Sequence, residues 1–151
     1  MKLSTRTRYG TRLLFDLARH CHKGPVQIGE VARRQNISVK YLEQIIRPLK
    51  KAELVFSVRG PKGGHVLAKS PDEISLGQIV RLLESNTELV DCVSNPADCE
   101  MSDDCRVRFA WQEATRVLYD KLDSITISDL LSNEGQSDED GPCPPFGPEK
   151  P

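Results

Sequence analysis

Three cysteines, Cys92, Cys99 and Cys105, fall within fourteen residues in the spacing C-x6-C-x5-C. Thiols this dense can undergo redox exchange, ligate a soft metal, or simply pack. A thiol switch needs a stabilised thiolate, yet Asp91, Asp98, Glu100, Asp103 and Asp104 crowd the same stretch. Like charge works against the thiolate, and only Cys105 gains compensation if a helix starts beside it. A bound cation reverses that argument, because coordination deprotonates a thiol outright. The spacing lacks the C-x2-C knuckles of structural zinc sites, and a wide loop wraps a larger cluster more readily. The expectation is an iron–sulfur cluster held by Cys92, Cys99 and Cys105, with zinc and thiol chemistry as alternatives. The fourth ligand must come from another residue, another subunit or a small molecule. Cys21, on an apolar helix face, is expected in the core, and Cys143 is expected as a free thiol in the tail.

No catalytic constellation accompanies the cysteines. His20, His22 and His65 lie in the first half with no nucleophile or acid partner close in sequence. His20 and His22, two residues apart, cannot share a helix face. An enzyme is not expected.

The second set of residues with chemistry is basic. The formal net charge of −1 over 151 residues hides a division. Residues 1–70 hold 15 Lys+Arg and 4 Asp+Glu, a net of +11, whereas 71–151 hold 6 and 18, a net of −12. Such asymmetry points to a polyanion partner for the basic half. Lys40, Tyr41, Glu43, Gln44, Arg47, Lys50 and Lys51 lie opposite Leu42, Ile45, Ile46 and Leu49 at helical spacing. Gln44 can pair bidentately with adenine, Lys40 can reach guanine or phosphate, and Glu43 can accept from cytosine N4. Arg59 and Lys62 sit in a Gly/Pro-rich basic turn suited to the minor groove or the backbone. Arg6, Arg8 and Arg12 suit phosphate contacts.

Ser4 caps a helix running to about Cys21, ended by Lys23-Gly24-Pro25. A short helix over about 28–35, a turn at Asn36-Ile37, and a third helix over about 39–52 capped by Ser38 make a helix-turn-helix. Pro48 should kink or tighten the end of that third helix. Residues 55–58 and 65–68 read as strands of a hairpin around the basic turn. A helix over about 76–84, an irregular cysteine-bearing stretch, a long helix over about 105–123 and a short one over 128–131 follow. The long helix repeats Val107, Ala110, Trp111, Ala114, Val117, Leu118 and Leu122, more apolar surface than one small winged helix can cover. Against a second copy it makes a two-helix seam, and the two-fold would present two readers to a palindromic duplex.

The fold expectation is therefore mainly α with a small β-hairpin wing: a winged helix-turn-helix plus a long dimerisation helix. Residues 1–70 are assigned to DNA binding, and 71–133 to a linker helix, the cysteine loop and dimerisation. Residues 134–151, with five prolines and the run Asp138-Glu139-Asp140, are expected to be a disordered tail. The 38% hydrophobic and 28% charged composition suits an ordinary soluble chain. No apolar run spans a membrane, and no signal-peptide core follows the N-terminus, so a cytoplasmic location is expected. A small iron–sulfur or thiol redox protein that docks an acidic partner is the alternative from a different class.

Tyr41-Leu42-Glu43-Gln44, Ser57-Val58-Arg59-Gly60-Pro61-Lys62-Gly63-Gly64 and the three cysteines ahead of a Trp-bearing helix together resemble the Rrf2 family of winged-helix transcription regulators, its IscR- and NsrR-like members in particular. The resemblance covers about residues 1–132. It implies a homodimer joined through the long helix and a 2Fe–2S or 4Fe–4S cluster on Cys92, Cys99 and Cys105, sensing cluster status, redox state or nitric oxide. It implies that Glu43 discriminates DNA sites and that Arg59 is a wing contact. The chain departs from relatives with a histidine three residues after the last cysteine, where it has Arg108. It departs from others with an aspartate near the start of the first helix, where it has Arg8. It also has one residue more between its first two cysteines. Asp98, Asp103, Asp104, His20 and His22 remain as candidates for a fourth ligand.

Overall fold

In the computed structural model, residues 2–132 are described; the tail expectation for 134–151 and the assignment of Cys143 lie outside them. The chain begins with α1 (Thr5–Arg19), whose N-terminus is capped by the Ser4 hydroxyl accepting from the Thr7 N–H. A 3-10 turn over Cys21–Lys23 leads to α2 (Ile28–Gln35) and α3 (Val39–Lys51). Asn36 takes the left-handed conformation (φ 53°) between α2 and α3, and the Ile37 N–H closes back on the Ala32 carbonyl. That is a C-terminal cap of the kind asparagine tolerates, and it reverses the chain within three residues.

Helix α3 runs on through Pro48, and its end is tightened as expected. Glu53 is left-handed (φ 55°), its N–H bonds to the Lys50 carbonyl, and the Leu54 N–H bonds to the Leu49 carbonyl. This Schellman motif buries Leu54 and aims the chain into β1 (Val55–Val58). β1 pairs antiparallel with β2 (Gly64–Leu67), with Val55 opposite Leu67 and Ser57 opposite His65. A single bridge from Val26 to His65 adds the connection before α2 to the free side of β2. The wing is thus tied to the helices on its inner edge.

After a 3-10 turn over Pro71–Glu73 come α4 (Leu76–Leu83), the short α5 (Asp91–Ser94), the long α6 (Arg106–Asp123) and α7 (Ile127–Ser132). The stretch 85–104, expected to be irregular, does contain α5 and a 3-10 turn over Pro96–Asp98. One core joins these pieces. Leu13, Leu14, Leu17, Val31, Leu42, Ile45, Leu49, Val55 and Leu67 pack with Ile74, Ile79, Leu83 and Ile127. Gly10 lets α1 and α4 touch, because a Cβ there would collide with Leu83. The chain after α6 returns through a bridge between Ser75 and Thr126, which seats the fully buried Ile127 in this core. Among the described residues no helix is long and apolar enough to cross a membrane.

Candidate functional site

The outer row of α3 is presented as its spacing implies. Leu42, Ile45, Ile46 and Leu49 are buried, while Lys40, Glu43, Gln44, Arg47 and Lys50 are exposed on the other side. The Ser38 hydroxyl accepts from the Tyr41 N–H at 3.2 Å and fixes the first turn. Tyr41 is different: it is half-buried, edge-on to Tyr9 with ring centroids 5.9 Å apart. Of the arginines Arg6, Arg8 and Arg12 on α1, Arg6 and Arg8 are exposed. Arg12 is occupied, donating to the Gln35 side chain (2.8 Å) and carbonyl (2.9 Å) and lying over the Tyr9 ring.

At the wing tip Arg59 and Lys62 are both exposed. Gly60 has φ 113°, and the Gly63 N–H bonds to its carbonyl at 2.9 Å. A Cβ at Gly63 would strike the Val58 carbonyl, so the turn that carries the two cations requires glycine there. His65 joins wing and helix: its backbone bridges to Val26 and its Nδ1 lies 3.2 Å from the Ser57 hydroxyl. Burial, then the nearby Lys50 charge, hold its pKa below the ordinary histidine value against the pull of Glu43. The bridge and the Ser57 contact tie His65 to β1 and to the connection before α2.

What sequence reasoning missed is the support beneath this face. Asp16, 2% exposed, receives Arg34 through Nε (3.2 and 3.1 Å) and a terminal nitrogen (2.6 Å), and Gln35 at 2.9 Å. The His20 ring nitrogen adds a contact at 3.5 Å. Burial pushes the Asp16 pKa up, but the bonds from Arg34 and Gln35 and the charges of Arg34 and His20 outweigh it, leaving the carboxyl below its usual range. This cluster fixes α2, the first helix of the helix-turn-helix, to α1. The signal was a lone carboxylate inside the run Leu13-Leu14-Phe15-Asp16-Leu17-Ala18.

The cysteine loop follows α4. Cys92 lies on α5, which Asn86 braces by donating to Asp91 and accepting from the Ser94 hydroxyl. Cys99 ends the 3-10 turn, and its carbonyl accepts from the Ser102 N–H at 3.1 Å. Cys105 caps α6, its sulfur accepting from the Arg108 N–H at 3.4 Å. All three are half-buried free thiols. They are the soft donors an iron–sulfur cluster takes, but no three His, Cys, Asp or Glu side chains among the described residues converge as a metal site. The candidate fourth ligand His20 lies at the end of α1, its Nδ1 2.9 Å from the Asp16 carbonyl.

Helix α6 turns a polar face to its own chain. Thr115 and Tyr119 are buried, and Arg81 of α4 lies over the Tyr119 ring at 4.5 Å while bonding both oxygens of Asp123 (2.7 and 2.6 Å). The apolar stripe points elsewhere: Val107 is 65% exposed, Trp111 43% and Val117 54%.

With these positions in hand, the chain can be set beside known proteins. Residues 3–133 match the family model described as Rrf2, iron-dependent transcriptional regulator. The protein Rrf2 of Nitratidesulfovibrio vulgaris is 44% identical over 131 residues, 87% of either chain. Among solved structures, IscR of T. potens superposes with a TM-score of 0.75 at 37% identity, covering 91% of each chain. CymR of B. subtilis, described as its global cysteine regulator, superposes with a TM-score of 0.72 at 36% identity, covering 88% of this chain and 98% of its own.

Proposed function

The chain belongs to the Rrf2 family of transcriptional regulators, and from that premise we propose a homodimer that reads a palindromic duplex and answers to an iron–sulfur cluster held by Cys92, Cys99 and Cys105. The observation that carries the dimer is the exposed row Val107, Trp111 and Val117 on a helix whose polar face is already used against its own chain. Large apolar side chains left in water along one helix stripe gain from pairing with their own copy across a two-fold. Each copy then brings an α3 and a wing. Lys40, Glu43, Gln44 and Arg47 face the base edges of the major groove, with Tyr41 at its margin, and Arg59 and Lys62 reach the flanking backbone or minor groove.

When bound, the cluster would supply a centre that gains or loses electrons or reacts with nitric oxide. The chain's own part is to offer three thiolates from one loop and to connect that loop to the first turn of α6 through Cys105. Because α6 carries both the cap and the seam, reordering the loop changes how two readers are held. The two states then differ in affinity for one operator spacing.

Sedimentation of the full chain, with and without a palindromic duplex, tests the assembly. The expected result is a dimer that binds one duplex, and a Trp111→Glu protein that sediments as a monomer with weakened binding. A parent chain that is monomeric on and off DNA would refute the dimer. The visible spectrum of anaerobically purified protein tests the cluster, with absorption in the range typical of iron–sulfur centres expected and lost in Cys99→Ser.

A further inference from the structure

One side chain holds both ends of the cysteine loop. Arg108, on the first turn of α6, donates from Nε to the Cys92 carbonyl and from a terminal nitrogen to the Ser102 carbonyl, each at 3.1 Å. Its backbone N–H reaches the sulfur of Cys105 at 3.4 Å. Ser102 is the single buried residue between Ser85 and Cys105. Carboxylates are plentiful in this stretch, yet among the described residues none lies within ion-pair distance of the guanidinium. Its donors go to two backbone carbonyls ten residues apart in sequence. A planar guanidinium suits this use, since it offers several N–H groups in a fixed fork and cannot be deprotonated.

We propose that Arg108 is a positioning residue, a clasp that holds the cysteine loop in its present shape by tying Cys92 and Ser102 to the start of α6. A guanidinium is no metal ligand, so this position shapes the loop rather than completing a ligand set. Among the described residues no three such side chains gather around a single metal ion. A cluster drawn onto the three thiols would pull on the loop that Arg108 holds, so the clasp opposes ligation. That last consequence, unlike the clasp itself, rests on the cluster assignment above.

Hydrogen exchange of the full-length, cluster-free protein tests it, read at the loop amides of Asn95, Cys99 and Ser102, which bond within the loop. Charge-assisted bonds of this kind contribute enough that Arg108→Ala should exchange at these amides about tenfold faster or more. Amides of α3 and α4 should stay within about twofold of the parent. Arg108→Lys, which keeps the charge but cannot span both carbonyls, should fall between parent and alanine protein. Loop exchange that is unchanged in Arg108→Ala overturns the clasp. If α3 and α4 loosen as well, the lysine protein decides: faster exchange confined to the loop supports the clasp, and parental exchange overturns it. Anaerobic reconstitution with ferrous iron and sulfide is the second arm. Faster iron uptake by Arg108→Ala than by the parent supports a clasp that opposes ligation, and slower uptake overturns that opposition. If neither protein takes up iron, the cluster assignment fails while the exchange result still decides the clasp.

Discussion

Between Thr5 and Leu67 the chain fully buries Leu13, Leu14, Leu42, Ile45, Leu49 and Leu54 and adds the carboxylate cluster at Asp16. Between Ser85 and Cys105 it buries Ser102 and otherwise relies on turns, the Asn86 brace and Arg108. Both stretches carry residues of functional chemistry, but their mechanical settings are opposite. A helix that must match a groove is useful only if its angle survives binding, and dense packing ensures that. A loop whose ligands must come together is useful only if a second arrangement lies within a few kcal/mol, and sparse burial ensures that. On the proposed reading, the residues that contact DNA and those that hold the cluster thus stand on different elements, with Cys105 joining the loop to α6.

The strongest way to break the contrast is at Asp16. Asp16→Ala removes the buried partner of Arg34, whose own side chain is 26% exposed, and losing charge-assisted bonds of this kind costs about 2–3 kcal/mol. Urea denaturation should show that loss across the whole helix-turn-helix. A loss under about 1 kcal/mol would mean the reader is held by packing alone. The same carboxyl gives a pH dependence. Its folded pKa lies below the ordinary value, so its stabilisation is present above that value and is lost as pH falls through the folded pKa. Asp16→Asn should therefore flatten the acid limb of the stability profile while lowering the neutral plateau.

That cluster also shows where the sequence was and was not legible. Helical spacing and end signals located α1 to α4, the wing and α6, because each is amphipathic with a cap or breaker at its ends: Ser4, Asn36, Ser38, Ser75. The apolar stripe on α6 was legible as unpartnered surface. What periodicity cannot carry is pairing between distant polar groups. Asp16 meets Arg34 and Gln35 only because α1 and α2 cross there, and Arg108 meets Cys92 only because the loop folds back. Arg12 meets Gln35, 23 positions away, for the same reason. The three cysteines were legible as a set by spacing, whereas their placement depends on backbone turns that spacing does not encode.

Smaller effects test the reading side alone. Gln44→Ala should cost about 1–3 kcal/mol on a cognate duplex and relax preference at one base position, with stability unchanged because Gln44 is exposed. Gel-shift competition against single-base variants of the operator measures it. A uniform loss on every sequence would make Gln44 a backbone contact. Lys62→Ala should weaken binding less and equally across sequences, and should lower the slope of log affinity against log salt by about one. An unchanged slope would remove the wing tip from the interface.

The smallest expected effect on stability is at the loop, and it is the one that separates the two regions most cleanly. Cys99 is half-buried on a stretch with almost no core, so Cys99→Ser should change unfolding free energy by no more than about 0.5 kcal/mol. Unliganded protein should bind DNA as the parent does in its own cluster-free form, because the elements packed against α3 are α1, α2, β1 and α4. Reconstitution should then alter DNA affinity in the parent and leave the serine protein where it was. A serine protein that unfolds with the parent's midpoint but binds DNA poorly without any iron would contradict the separation, since the loop would then be supporting the reader directly. Equal affinity in the cluster-free state, with divergence only after iron and sulfide are supplied, is the outcome that a rigid reader coupled to a loosely held loop requires.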